Sequence, residues 1–246
     1  MILDFHARLV PGDDRLLPTM DGAGIERAAV SAGGLIGLDR LSAQIDAGGR
    51  AEAGAANDEV YERCARSAGR LLPFYFADPF RDVAAYAQRS SLFRGLEISP
   101  AVHGFRLDHP AVAALVETAA RAAHSVYMVT LARAGARPAD LVRLARTFPQ
   151  VTFVWGHCGH TGLDFAGLTT IAPEPNILAE LSGCLTVTAR AAIDRLGAAR
   201  VLFGTEYPLQ HPQVELAKIA VLGLTPTQRT AVLGANARRI LGEENP

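Results

Sequence analysis

Short apolar runs recur along the chain, and nearly every one is followed by a stretch with helical spacing. Residues 2–9 alternate strictly, with Leu3, Phe5, Ala7 and Leu9 on one face and Asp4, His6 and Arg8 on the other. That is the two-residue period of a strand, and in a barrel it directs the apolar face to the outer helices and the charged face inward. Runs at 27–32, 71–77, 93–98, 125–131, 151–155, 176–181 and 200–206 are mostly apolar and predict seven further strands of a parallel sheet. Helices are predicted over 15–22, 57–69, 83–89, 110–123, 138–149, 162–172, 187–196, 225–234 and 235–241. Their starts are marked by Asn57, Pro110, Pro138 and Thr225-Pro226, and two of their ends by Gly69 and Gly197. Residues 35–54 are rich in Gly and Ala without a clear period and predict an irregular or partly helical excursion over the mouth.

Eight strands separated by helices predict βα units around a parallel sheet. No Gly-x-Gly-x-x-Gly turn follows the first strand, which removes the commonest use of an open doubly wound sheet and favours closure. The 246 residues also match the size of one eight-stranded barrel, about 250, so a single domain over 1–246 is expected.

Composition narrows the partners. Apolar residues make up 49% and charged residues 20%, as in a globular chain, and no apolar run approaches the ~20 residues that span a bilayer. The net charge is −1 with scattered basic residues, which argues against nucleic acid and for a small-molecule ligand. Cys64, Cys158 and Cys184 form no C-x-x-C pair and the chain opens directly on a strand, so a cytoplasmic location is expected. Abundant Ala and Arg with little Lys point to a GC-rich bacterial source, and Ala-rich helix faces suit a homodimer.

The chemistry gathers where strands end. VTFVWGHCGH presents Trp155, His157 and His160, and RVLFGTEYP presents Glu206 and Tyr207. In a β/α barrel such residues share the C-terminal mouth.

These strand ends resemble the amidohydrolase superfamily, in the branch of aminocarboxymuconate-semialdehyde decarboxylase. The carriers are LDFHARL, FRGLEISP, VYMVTL, VTFVWGHCGH, NILAELSG, VLFGTEYP and the closing NARRIL. The resemblance implies a distorted (β/α)8 TIM barrel with one divalent metal, commonly zinc, at the mouth. Against that pattern His-x-His reads His6-Ala7-Arg8, the strand-five histidine falls on Val129 before Thr130, and the strand-eight aspartate is Glu206. Glu97 and Ser99 stand where many relatives carry Lys and His.

A guanidinium beside a divalent ion repels it, so no metal is expected, with zinc held by His6, His157 and Glu206 as the alternative. A metal-free lactonase of the same superfamily implies the roles. Glu206 becomes the general base, Arg8 the anchor of a substrate carboxylate, and His157 with His6 the groups that polarise a carbonyl or move protons. Glu97, Ser99, Thr130, Trp155, His160 and Tyr207 complete the expected substrate contacts. The expected activity is therefore hydrolysis, or a related lyase reaction, of a small carboxylated molecule. The competing readings are a zinc-dependent hydrolase or decarboxylase, and a non-catalytic barrel retained for binding.

Overall fold

The eight apolar runs form eight strands. They are β1 (Leu3–Leu9), β2 (Arg27–Ala32), β3 (Leu71–Ala77), β4 (Gly95–Ile98), β5 (Ser125–Met128), β6 (Phe153–Trp155), β7 (Ile177–Glu180) and β8 (Val201–Leu202). The computed structural model describes residues 1–243; the last three positions of the expected 1–246 domain lie outside the described residues. Each strand pairs in parallel with the next in chain order. The stretch after β8 closes the ring on β1: Phe5 N–H donates to Phe203 O at 2.9 Å, Glu206 N–H to His6 O at 2.7 Å, and Arg8 N–H to Tyr207 O at 2.8 Å. The result is a (β/α)8 TIM barrel, as the strand and helix alternation predicts.

Strict alternation fails in β1. The register with β2 shifts between Asp4 and Ala7, an irregularity of the kind a bulge produces. Leu3 and Phe5 therefore pack in a cluster of strand residues with Leu72, Phe74, Leu178 and Leu202, while Ala7 and Leu9 pack with helix residues such as Leu16 and Met20. Phe5 meets Phe74 edge to face at 5.5 Å. The irregularity lets the strand add to the apolar filling at its start and to the polar mouth at its end.

The helices are α1 (Leu16–Ala23), α2 (Leu38–Ala47), α3 (Asn57–Ala65), α4 (Val83–Arg89), α5 (Pro100–His103), α6 (Pro110–Arg121), α7 (Pro138–Thr147), α8 (Phe165–Ile171), α9 (Thr186–Leu196), α10 (Pro212–Ala220), α11 (Pro226–Thr230) and α12 (Asn236–Ile240). Proline opens α6, α7, α10 and α11, where its fixed φ and missing N–H do no harm. The His109 and His211 rings and the Thr225 hydroxyl accept bonds from the first turns of α6, α10 and α11. The excursion expected at 35–54 contains α2. Helix α10 was not read from the sequence, because its covered face carries Glu215 and Lys218. Lys218 Nζ donates to the carbonyls of Leu181 and Cys184 at 2.7 and 2.9 Å, which makes burial of that amine tolerable.

Candidate functional site

The ends of β1, β4, β6, β7 and β8 bring six ionisable side chains to one floor. Glu206 is its centre. Its Oε1 accepts from Arg8 Nε at 2.9 Å; its Oε2 lies 2.6 Å from His6 Nε2 and 3.1 Å from His157 Nε2. Arg8 reaches on to Glu97, whose Oε1 accepts from its terminal nitrogen at 2.8 Å, and Ser31 Oγ donates to the other oxygen of Glu97. The remaining guanidinium nitrogen faces Ser31 Oγ and Ala32 O, both at 3.4 Å. Every nitrogen of Arg8 thus has a partner within the protein.

A second network fixes His157. Glu180, fully buried, accepts from the Tyr127 hydroxyl at 3.0 Å, the Ser182 hydroxyl at 2.9 Å and the His157 backbone N–H at 3.2 Å. Because Ser182 donates to Glu180, its oxygen is left to accept from His157 Nδ1, 2.9 Å away. His157 Nε2 then carries the lone pair, and that lone pair faces the Glu206 carboxylate. Tyr127 stacks on the His6 ring with centroids 3.9 Å apart. Two glycines make room: a Cβ on Gly156 would lie 2.2 Å from the Tyr127 hydroxyl, and one on Gly204 would lie 2.3 Å from Glu180 Oε1.

The backbone is strained at the same place. His157 (φ 59°) and Glu206 (φ 54°) both adopt the left-handed conformation that residues other than glycine avoid. Each is held there by a backbone N–H bond, to Glu180 and to His6 O. Such strain persists only where surroundings enforce it, and it often marks a functional site.

Electrostatics keeps Glu206 ionised. Burial pushes its carboxyl up, but the charges beside it, the Arg8 guanidinium foremost, outweigh burial and hold it well below the usual carboxylate range. Burial and the surrounding carboxylates push the Tyr127 hydroxyl well above its ordinary value, so it remains a donor. Burial likewise raises Asp4 to about 7, and Asp4 accepts from the backbone N–H and hydroxyl of Thr205, anchoring the turn that carries Glu206.

Above this floor opens a cavity of about 590 Å3. Arg8, His157 and Glu206 form its base, Ser99 and His160 reach its wall, and α2 covers it with Leu38, Leu41 and Ile45. Glu97 lies behind Arg8 and is 1% exposed. The other expected substrate contacts sit elsewhere. Trp155 packs outward among the helices and donates from Nε1 to Thr130 Oγ1 at 2.7 Å, and Tyr207 is buried beside its own turn. Sequence reasoning passed over Asp4, Ser31, Tyr127, Glu180 and Ser182. The available signal was a carboxylate inside an apolar run, in LDF and in LAELS, since a buried charge must be partnered.

The comparisons with known proteins follow the fold. A family model described as Amidohydrolase matches residues 3–242, almost the entire chain. The chain belongs to the amidohydrolase family. Among solved structures, 5-carboxyvanillate decarboxylase from Sphingomonas paucimobilis aligns with a TM-score of 0.69 at 18% identity, covering 93% of this chain and 82% of that one. A dihydroxybenzoic acid decarboxylase from Polaromonas sp. JS666, with bound manganese and the inhibitor 2-nitroresorcinol, gives 0.70 at 18%, covering 100% and 97%. An uncharacterized TIM-barrel protein from Bordetella bronchiseptica gives 0.78 at 18%, covering 98% of each. No match was found among curated proteins.

The expectation of no metal is corrected here. The Polaromonas enzyme carries manganese, as does a 5-carboxyvanillate decarboxylase from Novosphingobium aromaticivorans. In this amidohydrolase His6, His157 and Glu206 offer ligand atoms all within 4.8 Å of one another. The sequence argument left out pairing: Arg8 is held by Oε1 of Glu206 and by Glu97, two carboxylates that offset its charge and leave Oε2 of Glu206 turned to the ligand cluster. His6 Nε2 and Glu206 Oε2 are buried and, although close, make no well-directed hydrogen bond to each other or to any other group. Three acceptors converging with two left unpartnered fit a cation of the three-ligand catalytic kind.

Proposed function

We propose that this amidohydrolase is an enzyme that binds a small molecule at the barrel mouth and cleaves a bond at its carbonyl or carboxyl carbon. The observation that carries the reading is the convergence of His6 Nε2, His157 Nε2 and Glu206 Oε2 beneath the cavity, with two of those atoms lacking any other partner. A divalent cation bound there supplies a Lewis acid for a substrate oxygen. The chain's own residues do the rest. Arg8 holds Glu206 so that only Oε2 faces the cavity, Ser182 holds His157 with Nε2 forward, and Tyr127 keeps the His6 ring in plane. An ionised carboxylate held this firmly is a better ligand than proton acceptor, so Glu206 serves here as a ligand in place of the base role read from the sequence.

Decarboxylation is the second reading, favoured by the names of the solved neighbours, which include a 2,6-dihydroxybenzoate decarboxylase complexed with 2,6-dihydroxybenzoate. We further propose that the enzyme works in the cytoplasm as a homodimer on a small-molecule partner. The test is cation uptake by calorimetry on protein stripped with chelator and reloaded with manganese or zinc. About one ion per chain is expected, with uptake lost in Glu206→Ala and His157→Ala. Unchanged uptake in both variants would sink the reading.

A further inference from the structure

A second cavity lies at the opposite end of the strands from the mouth. Arg94 immediately precedes β4 and His124 immediately precedes β5, the strands that carry Glu97 and Tyr127 to the floor of the site described above. Arg94 and His124 line a space of about 610 Å3 between α4 and the end of α6. His6, His157 and Glu206 take no part in it, so a ligand here is separate from the molecule bound at the mouth.

The charges facing this space are of one sign. Arg94 and Arg121 line it, and no aspartate or glutamate does. Elsewhere the guanidiniums are almost all engaged: Arg27 with Glu243, Arg89 with Asp58, Arg146 with Glu174, and Arg200 with the carbonyls of Ala172, Glu174 and Ile177. Arg94 is different. It is exposed, and among the described residues its side chain has no hydrogen-bond or ion-pair partner. Arg229 alone shares that state, and it lines neither cavity. Arg121, also exposed, donates only to Thr118 Oγ1 of its own helix among the described residues, at 2.8 Å, although Glu117 stands one turn earlier. A cation that closes a helix can serve simply to answer the helix dipole. That account covers Arg121, at the end of α6, and leaves Arg94, which leads into a strand.

The rest of the lining suits an anion with an organic body. The hydroxyls of Ser90 and Ser91 make no side-chain hydrogen bond among the described residues, and Phe93, Leu241 and Ala87 supply an apolar side. Two guanidiniums in one space repel each other, and a dianion between them turns that repulsion into attraction. Phosphate oxygens also match the planar fork of an arginine. A cavity of this size has room beyond the phosphate for the group it esterifies.

We infer that this cavity binds a small organic phosphate, a monoester whose dianion lies between Arg94 and Arg121 and whose apolar part rests on Phe93 and Leu241. The inference stands independently of the function proposed for the mouth. Phenyl phosphate titrated calorimetrically into the full chain tests it. Saturable binding at one site per chain is expected, about ten-fold tighter than inorganic phosphate because the ring adds apolar contact, a difference of about 1.4 kcal/mol. Arg94→Gln and Arg121→Gln should each weaken phenyl phosphate by about ten-fold. Ala87→Glu, which places a carboxylate at an exposed lining position, should do the same by competing for the arginines, and it stands in if either arginine variant fails to fold. Arg229→Gln removes an equally unpartnered charge outside the cavity and should leave affinity unchanged. No saturable binding by the parent protein, undiminished binding in Arg94→Gln or Ala87→Glu, equal affinity for inorganic phosphate, or an equal loss in Arg229→Gln each overturns the inference.

Discussion

The floor of the cavity and its α2 wall line one space yet are built on opposite terms. On the floor, Glu180, Glu206, Arg8 and Glu97 each satisfy several partners and are themselves held by strands and strained turns. On the wall, Leu38 is 62% exposed, Leu41 and Ile45 are half-buried, and the segment is tied to the barrel by a few bonds such as Gln44 Nε2 to Ala101 O at 2.8 Å. Rigid chemistry below and a sparsely anchored apolar cover above is a division of labour: the floor fixes what is done, the wall what is admitted.

The comparison breaks most readily at Glu180. Replacing it with Ala leaves the Tyr127 hydroxyl, the Ser182 hydroxyl and the His157 N–H without their acceptor, at about 1–3 kcal/mol for each group left unsatisfied. A loss of several kcal/mol in denaturant unfolding is expected, and a loss below about 1 kcal/mol would show that the floor is less interdependent than its bonds imply. The milder Ser182→Ala keeps Glu180 and removes the hydroxyl 2.9 Å from His157 Nδ1, leaving that nitrogen the Ser182 carbonyl at 3.2 Å. Cation affinity should fall by about 10–100-fold while the fold persists, the size expected when a partner behind a ligand is lost. Unaltered affinity would show that the Ser182 hydroxyl takes no part in presenting His157 to the ion.

The wall should respond in the opposite sense. Leu41→Ser and Ile45→Ser are expected to change stability by roughly 0.5–1 kcal/mol, because these side chains are only partly covered. Each should nevertheless raise KM for a substrate with an apolar body by several-fold to about ten-fold while leaving kcat near its starting value, the signature of lost uniform binding. A fall in kcat with KM unchanged would place α2 in the chemistry and erase the contrast.

What the sequence disclosed follows the same division. Strands, most helices and the strand ends that carry His6, His157 and Glu206 were legible because period and apolar runs are local signals. The irregularity in β1 was not, since LDFHARL alternates without a break and only pairing with β2 reveals that both Phe5 and His6 turn inward. Trp155 was placed by strand parity, which ends at the left-handed turn of His157 and Cys158. The metal expectation failed for a related reason. Residue identity says that a guanidinium stands two positions from His6, but only geometry says which oxygen of Glu206 it takes. Helix α2 went unread although Leu38, Leu41 and Ile45 stand at helical spacing, because the Gly- and Ala-rich residues on either side hid so short a stripe.

The smallest expected effect lies between the two regions, at His103 on α5. Its ring is 1% exposed, meets Phe76 edge to face at 5.2 Å, and has no hydrogen-bond partner at either nitrogen. Burial lowers its pKa below the ordinary 6.5, against the opposing carboxylates of Asp78, Asp82 and Glu97 and with the help of Arg50. His124, bonded to the Tyr86 hydroxyl at 2.7 Å, is lowered by burial in the same direction, with Arg94 adding to it. A histidine lowered in the folded state binds fewer protons there than in the unfolded chain. Its contribution to stability is therefore complete above pH 6.5 and is lost as pH falls below that value toward the folded pKa. From pH 7 to 5.5 each of these histidines subtracts no more than about 1.4 kcal/mol per pH unit from the unfolding free energy, while Asp4, raised to about 7, and His6, also raised, add to it over the same window. His103→Leu removes one of the two subtracting groups, so the stability of the variant relative to the parent should rise as pH falls from 7 to 5.5; an identical pH dependence would free His103 from any part in holding α5 beneath the wall.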